Sequence, residues 1–296
     1  MIELIIDKRI RDLGGGFEVG RILPFAKKHM VGPFIFLDHM GPVNIAAGAP
    51  RELDVRPHPH IGLSTVTYLF EGRITHRDSL GFHQEIRPRE VNWMVAGSGI
   101  THSERFDYAR QHGATIHGMQ AWVALPDKLE ETEPSFSHYE GDDLPLWEEN
   151  GVKGCLIAGE FNGLTAKAQV YSPMFYVHLD LSAASQQSIP AQCSERAVYI
   201  VKGSVHIGNT ILQAGQMAVL TTGIDIDVIA DKEATIMLLG GEPIGERYIF
   251  WNFVSSSKTI INQAAEDWRA QRMKLPVDDD QEFIPLPAEL KLSDRS

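Results

Sequence analysis

Four side chains carry types and spacings that could do chemistry. They are His58 and His60 in RPHPHIG (56–62), and His102 and Glu104 in GITHSERF (99–106). The members of each pair lie two residues apart, and alternate residues of a β-strand point to one face. Each pair would therefore present both side chains to the same side of a sheet. Pro57 and Pro59 push the chain toward extended geometry and withhold N–H groups from a ladder, which suits a sheet edge. If the two strands are neighbours, three imidazoles and one carboxylate converge, a donor set without sulfur. That set suits a divalent first-row ion: Fe(II), Mn(II), Ni(II), Co(II), Cu(II) or Zn(II). Neutral imidazoles and one carboxylate would leave such a centre at about +1, able to take an anionic oxygen.

Other chemistry-bearing residues read as structural. His76 and Asp78 in THRDSLG repeat the two-apart pattern ahead of a turn, and an ion pair or turn role is expected. Asp38 and His39 are adjacent and would face opposite sides of a strand. His117 reads as a partly buried strand residue, while His83 and His138 fall in polar stretches expected to be loops. Gly14 to Gly16 form a turn without the Lys-Ser/Thr of a phosphate loop. Ser98 and Ser103 lie near His102, but no Gly-x-Ser-x-Gly elbow accompanies them.

The elements that must hold the four residues are strands. The first 125 residues break into short strand-like stretches (32–42, 64–78, 89–97, 114–126) divided by Gly and Pro, which favours an all-β sandwich or barrel. Residues 126–150 carry nine acids against Lys128 alone, and read as a solvated acidic connector. Strand-like stretches resume at 154–161, 174–181, 196–207 and 234–241. The fourfold spacing of Ile260, Ala264 and Trp268, and of Ile261 and Ala265, predicts one amphipathic helix over about 256–273. An extended tail follows it, and both are expected to pack on a domain. The expected division is 1–125, a connector 126–150, a second domain 151–245, and a helix and tail 246–296.

An internal repeat links the halves. YLFEGRI (68–74) aligns with YIVKGSV (199–205), and PREVNWMV (88–95) resembles AGQMAVLT (214–221). Two similar β-barrels are the natural inference. Projecting the four candidates through this repeat lands on Ile189, Ala191, Val228 and Ala230, none of which binds a metal. Histidines needed only for folding should recur in both copies; these do not.

Composition excludes several alternatives. The chain has 296 residues and a net charge of −12, with 39 acidic against 27 basic side chains, a balance that argues against a nucleic-acid groove. Apolar runs such as Ile236 to Leu239 are strand-length, so no membrane span is expected. Glu3 and Asp7 interrupt any secretion signal. Cys155 and Cys193 are too few for a disulfide scaffold or a zinc-thiolate site. A cytoplasmic protein is expected.

The stretches PHPHIGLSTVTYLFEG (57–72), HRDSLG (76–81), VNWMVAGSGITHSE (91–104) and HGMQAWVALP (117–126) resemble the pirin family of the cupin superfamily. With YIFWNFVSSSK (248–258), the resemblance covers most of the chain. It implies an all-β bicupin: two stacked β-barrels with a C-terminal helix, and one mononuclear metal in the N-terminal barrel. Pirin-type ligands fall on His58, His60, His102 and Glu104. The general cupin pattern places a Glu four residues after its second His; here that position is Ser64, so a carboxylate that some pirins keep near the metal is missing.

The resemblance further implies a quercetin 2,3-dioxygenase-like activity, with Fe(II) the expected ion and Ni, Co, Mn, Cu and Zn open. A small aromatic, flavonol-like substrate would lose the proton of its 3-hydroxyl to Glu104 as general base. Phe34, Phe36, Phe70, Phe106 and Trp122 are candidates for an apolar mouth. The alternative is a non-catalytic metal or redox sensor that binds a protein partner, with 126–150 and 274–296 as contact regions.

Overall fold

The computed structural model describes residues 1–288. The chain divides into two compact β units: one holds 1–11, 19–39 and 139–244, the other 12–18, 40–138 and the residues from 245 on. The division at His138/Tyr139 falls inside the acidic stretch. The N-terminal residues fall to the unit of the chain's second half because strand Ile2–Asp7 pairs antiparallel with Gln216–Leu220. Nothing in the local pattern of 1–11 encodes that long-range pairing.

In the unit containing the candidate site, a four-stranded sheet runs Val55–His60, Ile100–Arg105, Ile74–Asp78, His83–Ile86. The proline-bearing strand lies at its edge, as its missing N–H groups require. A second sheet runs Ser135–Tyr139, Val91–Val95, Leu63–Glu71, Ala114–Ala124, then the strand Phe34–Ile45. The four segments expected to form strands in the first 125 residues all do, and the single α-helix there is the short Asp107–His112.

The other unit repeats this plan. Its four-stranded sheet runs Ser185–Ile189, Ile226–Ala230, Ser204–Ile207, Thr210–Gln213. That is the same order of first, fourth, second and third strand as in the site-bearing sheet. The repeated tight turns sit on Gly72 (φ 86°) and Gly203 (φ 79°), left-handed positions where glycine avoids a Cβ penalty. Among the described residues the strand pairings trace open paths, with the short strand Leu164–Thr165 paired off one of them.

The acidic stretch is not a plain connector. It carries strands Ser135–Tyr139 and Leu146–Glu149, each paired within its own unit. Glu130 is buried, bonded to Arg247 at 2.7 Å and to the hydroxyls of Ser255 and Ser256. The predicted helix forms over Lys258–Arg269 and buries Ile261, Ala264, Ala265 and Trp268 against Ile61, Phe250 and Phe253. The tail's last residues, 289–296, lie outside the described residues.

Candidate metal centre

The two motif strands are neighbours. Ile100–Arg105 pairs antiparallel with Val55–His60, setting His102 opposite His58 and Ile100 opposite His60. Side chains of directly opposed residues share a face, so the register brings the three imidazoles together. Ring centroids are 4.4 Å apart for His58 and His102, 5.0 Å for His58 and His60, and 5.1 Å for His60 and His102. One nitrogen from each lies within 4.8 Å of the others, so the group could hold a metal ion. All three rings are buried, His58 at 6% and the other two at 1% exposure.

Hydrogen bonds set the tautomers. His58 Nδ1 donates to the carbonyl of Arg56 at 2.9 Å, and His60 Nδ1 donates to that of Asn252 at 3.1 Å. Each ring then keeps its lone pair on Nε2, the form a metal needs. The Nε2 of His102 is buried and has no hydrogen-bond partner among the described residues. A buried polar atom without a partner costs free energy unless something binds it, and three convergent imidazole lone pairs fit a transition-metal ion. Burial pushes the His58 pKa down to about 4 and those of His60 and His102 well below the ordinary value. The rings are neutral at pH 7 and need shed no proton to coordinate.

Glu104 lies on the same face of the strand as His102, but a bulge between them shifts the pairing to Glu104 opposite Val55. It stands outside the group of ligand atoms within 4.8 Å. The half-buried carboxyl bonds the Thr67 side chain of the second sheet; burial raises its pKa to about 7 against that bond. Thr67 Oγ1 also lies 2.8 Å from the side-chain amide of Gln120. Strand alternation places Ser64 with Val66 and Tyr68 on the opposite face from Thr65 and Thr67, so position 64 does not face Glu104.

His76 and Asp78 are joined by a hydrogen bond and make the expected turn. His76 Nε2 is 2.9 Å from Asp78 Oδ2, while Asp78 Oδ1 accepts the N–H groups of Leu80 and Phe82. Yet they also stand beside the site, because Ile74–Asp78 pairs with the other edge of Ile100–Arg105 and sets His102 opposite Asp78. Spacing alone hid this: the pattern is identical to a ligand pair, and only the sheet order distinguishes the roles.

The aromatic expectations divide. Trp122 packs edge-on against His60 at 5.0 Å. Phe34 packs on Tyr176 and Phe36 under Arg21, both in the other unit. Phe106 packs on Phe17, and Phe70 contacts Tyr68 and the half-buried strand residue His117. Phe136, absent from the sequence-based set, stacks on His76 at 4.3 Å and 15°. His83 and His138 lie on strands rather than loops, His138 bonding Asn92 at 2.7 Å. Alternation in those short strands is interrupted by polar residues on both faces, which is why they read as loop.

The backing of the metal strand comes from far along the chain. Ser103 and Arg105 alternate with His102 and Glu104, and both donate to the Asp279 carboxylate, at 2.5 Å from Ser103 Oγ and 2.7 Å from each of two Arg105 nitrogens. In the other unit the corresponding strands pair Ile189 with Ile226, Gln187 with Val228 and Ser185 with Ala230. Ile189, Ile226, Val228 and Ala230 all belong to that unit's apolar core. Side chains that pack fill the place where, in the first copy, imidazoles converge.

Comparison with known proteins agrees with this architecture. The Pirin family profile matches residues 16–123, and the Pirin C-terminal cupin domain profile matches 176–274. A pirin-like protein of Caulobacter vibrioides is 58% identical over 288 residues, covering 97% of this chain and all of the relative. An Arabidopsis thaliana pirin-like protein is 34% identical over 249 residues, 80% of this chain and 78% of its own. The crystal structure of a quercetin 2,3-dioxygenase from Acinetobacter baumannii superposes with a TM-score of 0.90 at 35% identity, covering 99% of this chain and 96% of that one. With two cupin-like units, a histidine cluster in one of them, and relatives matched along nearly their whole length, this chain belongs to the pirin family.

Proposed function

We propose that the chain is a metal-dependent dioxygenase that opens the ring of flavonols such as quercetin, its ion held by His58, His60, His102 and Glu104. The observation that carries this reading is the meeting of three buried, neutral imidazoles in a chain similar to a quercetin 2,3-dioxygenase over almost its full length. The donor set fits a divalent first-row ion, Fe(II) foremost. When bound, such an ion supplies Lewis-acid polarisation of the substrate hydroxyl and access to dioxygen chemistry.

The protein's own groups do the rest. Glu104 takes the 3-hydroxyl proton onto its carboxylate, whose affinity for a proton near neutral pH suits a general base. Thr67 holds that carboxylate in place through its hydrogen bond. Trp122, against His60, offers a flat apolar wall to an aromatic substrate. The carbonyls of Arg56 and Asn252 keep two imidazoles in the ligating tautomer throughout.

The test is aerobic incubation of metal-loaded protein with quercetin, following loss of the flavonol absorbance. Turnover is expected to vanish in His58→Ala and to fall on the order of 100-fold or more in Glu104→Gln. Absence of turnover with each of Fe, Ni, Co, Mn and Cu would overturn the reading.

A further inference from the structure

We propose that Asp78 and His76 form a hydrogen-bonded relay that fixes the proton of His102 on Nδ1 and thereby keeps its Nε2 free for the metal. The inference rests on His102 being a ligand, and it assigns positioning roles to two residues outside the ligand set.

With His76 neutral, the form its burial favours, the chain of bonds leaves one consistent arrangement of protons. Asp78 is fully buried and its Oδ1 already accepts two backbone N–H groups, from Leu80 at 2.9 Å and Phe82 at 3.1 Å. Its other oxygen, Oδ2, lies 2.9 Å from His76 Nε2 and can only accept, so His76 carries its proton on Nε2. A neutral His76 then has a bare lone pair on Nδ1. That atom lies 3.4 Å from His102 Nδ1, and two lone pairs cannot face each other there. His102 must donate, which puts its proton on Nδ1 and its lone pair on the buried, otherwise unpartnered Nε2. His58 and His60 reach the same tautomer through backbone carbonyls; His102 reaches it through side chains, because the antiparallel register sets Asp78 opposite it and His76 opposite Glu104. Phe136, stacked on His76 at 4.3 Å, holds the intermediate ring in plane for both bonds. The carboxylate at the end of the relay makes His102 the more basic ligand.

The arrangement can be inverted by one atom. In Asp78→Asn the amide oxygen keeps the turn through Leu80 and Phe82, while its NH₂ donates to His76 Nε2. His76 must then carry its proton on Nδ1 and donate to His102 Nδ1, driving the His102 proton onto Nε2, the atom that binds the ion. A carboxylate-to-amide change behind a catalytic histidine acts through the same wrong-tautomer logic. His76→Phe keeps the ring volume and the stack on Phe136 but removes both bonds.

The experiment has two readouts. Long-range ¹H–¹⁵N spectra of the histidine rings in metal-free full-length protein report the His102 tautomer, and zinc titration against a competing chelator reports affinity. The wild type is expected to show His102 protonated on Nδ1 and Asp78→Asn to show it on Nε2. Affinity is expected to drop 10- to 100-fold in Asp78→Asn and at least severalfold in His76→Phe. A role confined to the turn would lower stability without moving the tautomer. An unchanged tautomer, with zinc affinity within twofold of wild type in both variants while His102→Ala abolishes binding, overturns the relay and leaves the metal reading standing. If Asp78→Asn does not fold, unchanged affinity in His76→Phe overturns it. Wild-type protein that binds no zinc overturns both.

Discussion

Replacing Asp279 with Asn probes how the strand carrying His102 and Glu104 is held from behind. Asp279 is 8% exposed and Arg105 fully buried, and their two 2.7 Å bonds are joined by one from Ser103. Each charge-assisted bond contributes roughly 1.5–3 kcal/mol, and breaking a buried pair from one side costs about 3–5 kcal/mol. Arg105 keeps partial compensation, from Glu282 at 3.0 Å and Asp54 at 3.5 Å. The expected loss is therefore about 3 kcal/mol, or a fall in melting temperature of roughly 6–12 °C for a unit of this size. Burial raises the Asp279 pKa, but the bonds from Arg105 and Ser103 and the guanidinium charge together outweigh it and hold it below the ordinary 3.8. A carboxyl whose folded pKa is depressed stabilises above its unfolded value and loses that contribution as pH falls through the folded one. The gap between wild type and Asp279→Asn, measured by urea denaturation, should be constant from pH 7 to about pH 5 and narrow below pH 3.8. A loss under about 1 kcal/mol at pH 7, or a gap that widens in acid, would refute the reasoning.

Two further substitutions test packing at defined points. Gly62 has φ 69° and a Cβ there would run into the carbonyl oxygen of Val254, whereas Gly163, with φ 76°, faces open space. Gly62→Ala should cost more than about 3 kcal/mol in chemical denaturation and Gly163→Ala only about 1 kcal/mol; equal costs would contradict the account. Arg196, fully buried in the other unit, donates to the carbonyls of Ile189, Pro190, Thr221 and Ile224. Arg196→Met should destabilise that unit by about 3 kcal/mol in the same assay, and a change below about 1 kcal/mol would show those carbonyls to be satisfied without it.

Much of the centre was legible in sequence because strand alternation is local. The spacing of His58 with His60, and of His102 with Glu104, fixes which side chains share a face before any tertiary contact is known. The repeat added the rest: Gly72 and Gly203 mark the same turn, and Val228 and Ala230 stand where the second copy needs no ligands. What escaped notice depends on pairing across long separations. Asp279 reaches Ser103 and Arg105 over more than 170 residues, and no periodicity announces a partner that far away. His76 and Asp78 look like a second ligand pair in sequence, and only the sheet order places them behind His102. Glu130 sits in an acidic run whose composition reads as solvated, yet Arg247 and the serines at 255 and 256 pull that one carboxylate inside. Phe34 and Phe36 share a strand with residues of both units, and their apolar character gives no sign of which core they join.

The central claim is that His58, His60 and His102 together hold one ion through Nε2. X-ray absorption on zinc-loaded protein, with metal stoichiometry measured on the same sample, tests it most directly. The account predicts one ion per chain, with three imidazole nitrogens at about 2.0–2.1 Å and no sulfur. It also predicts that the imidazole signal and the bound ion are both lost in His102→Ala. Substoichiometric zinc, a sulfur shell at about 2.3 Å, or a spectrum unchanged by that substitution would contradict it.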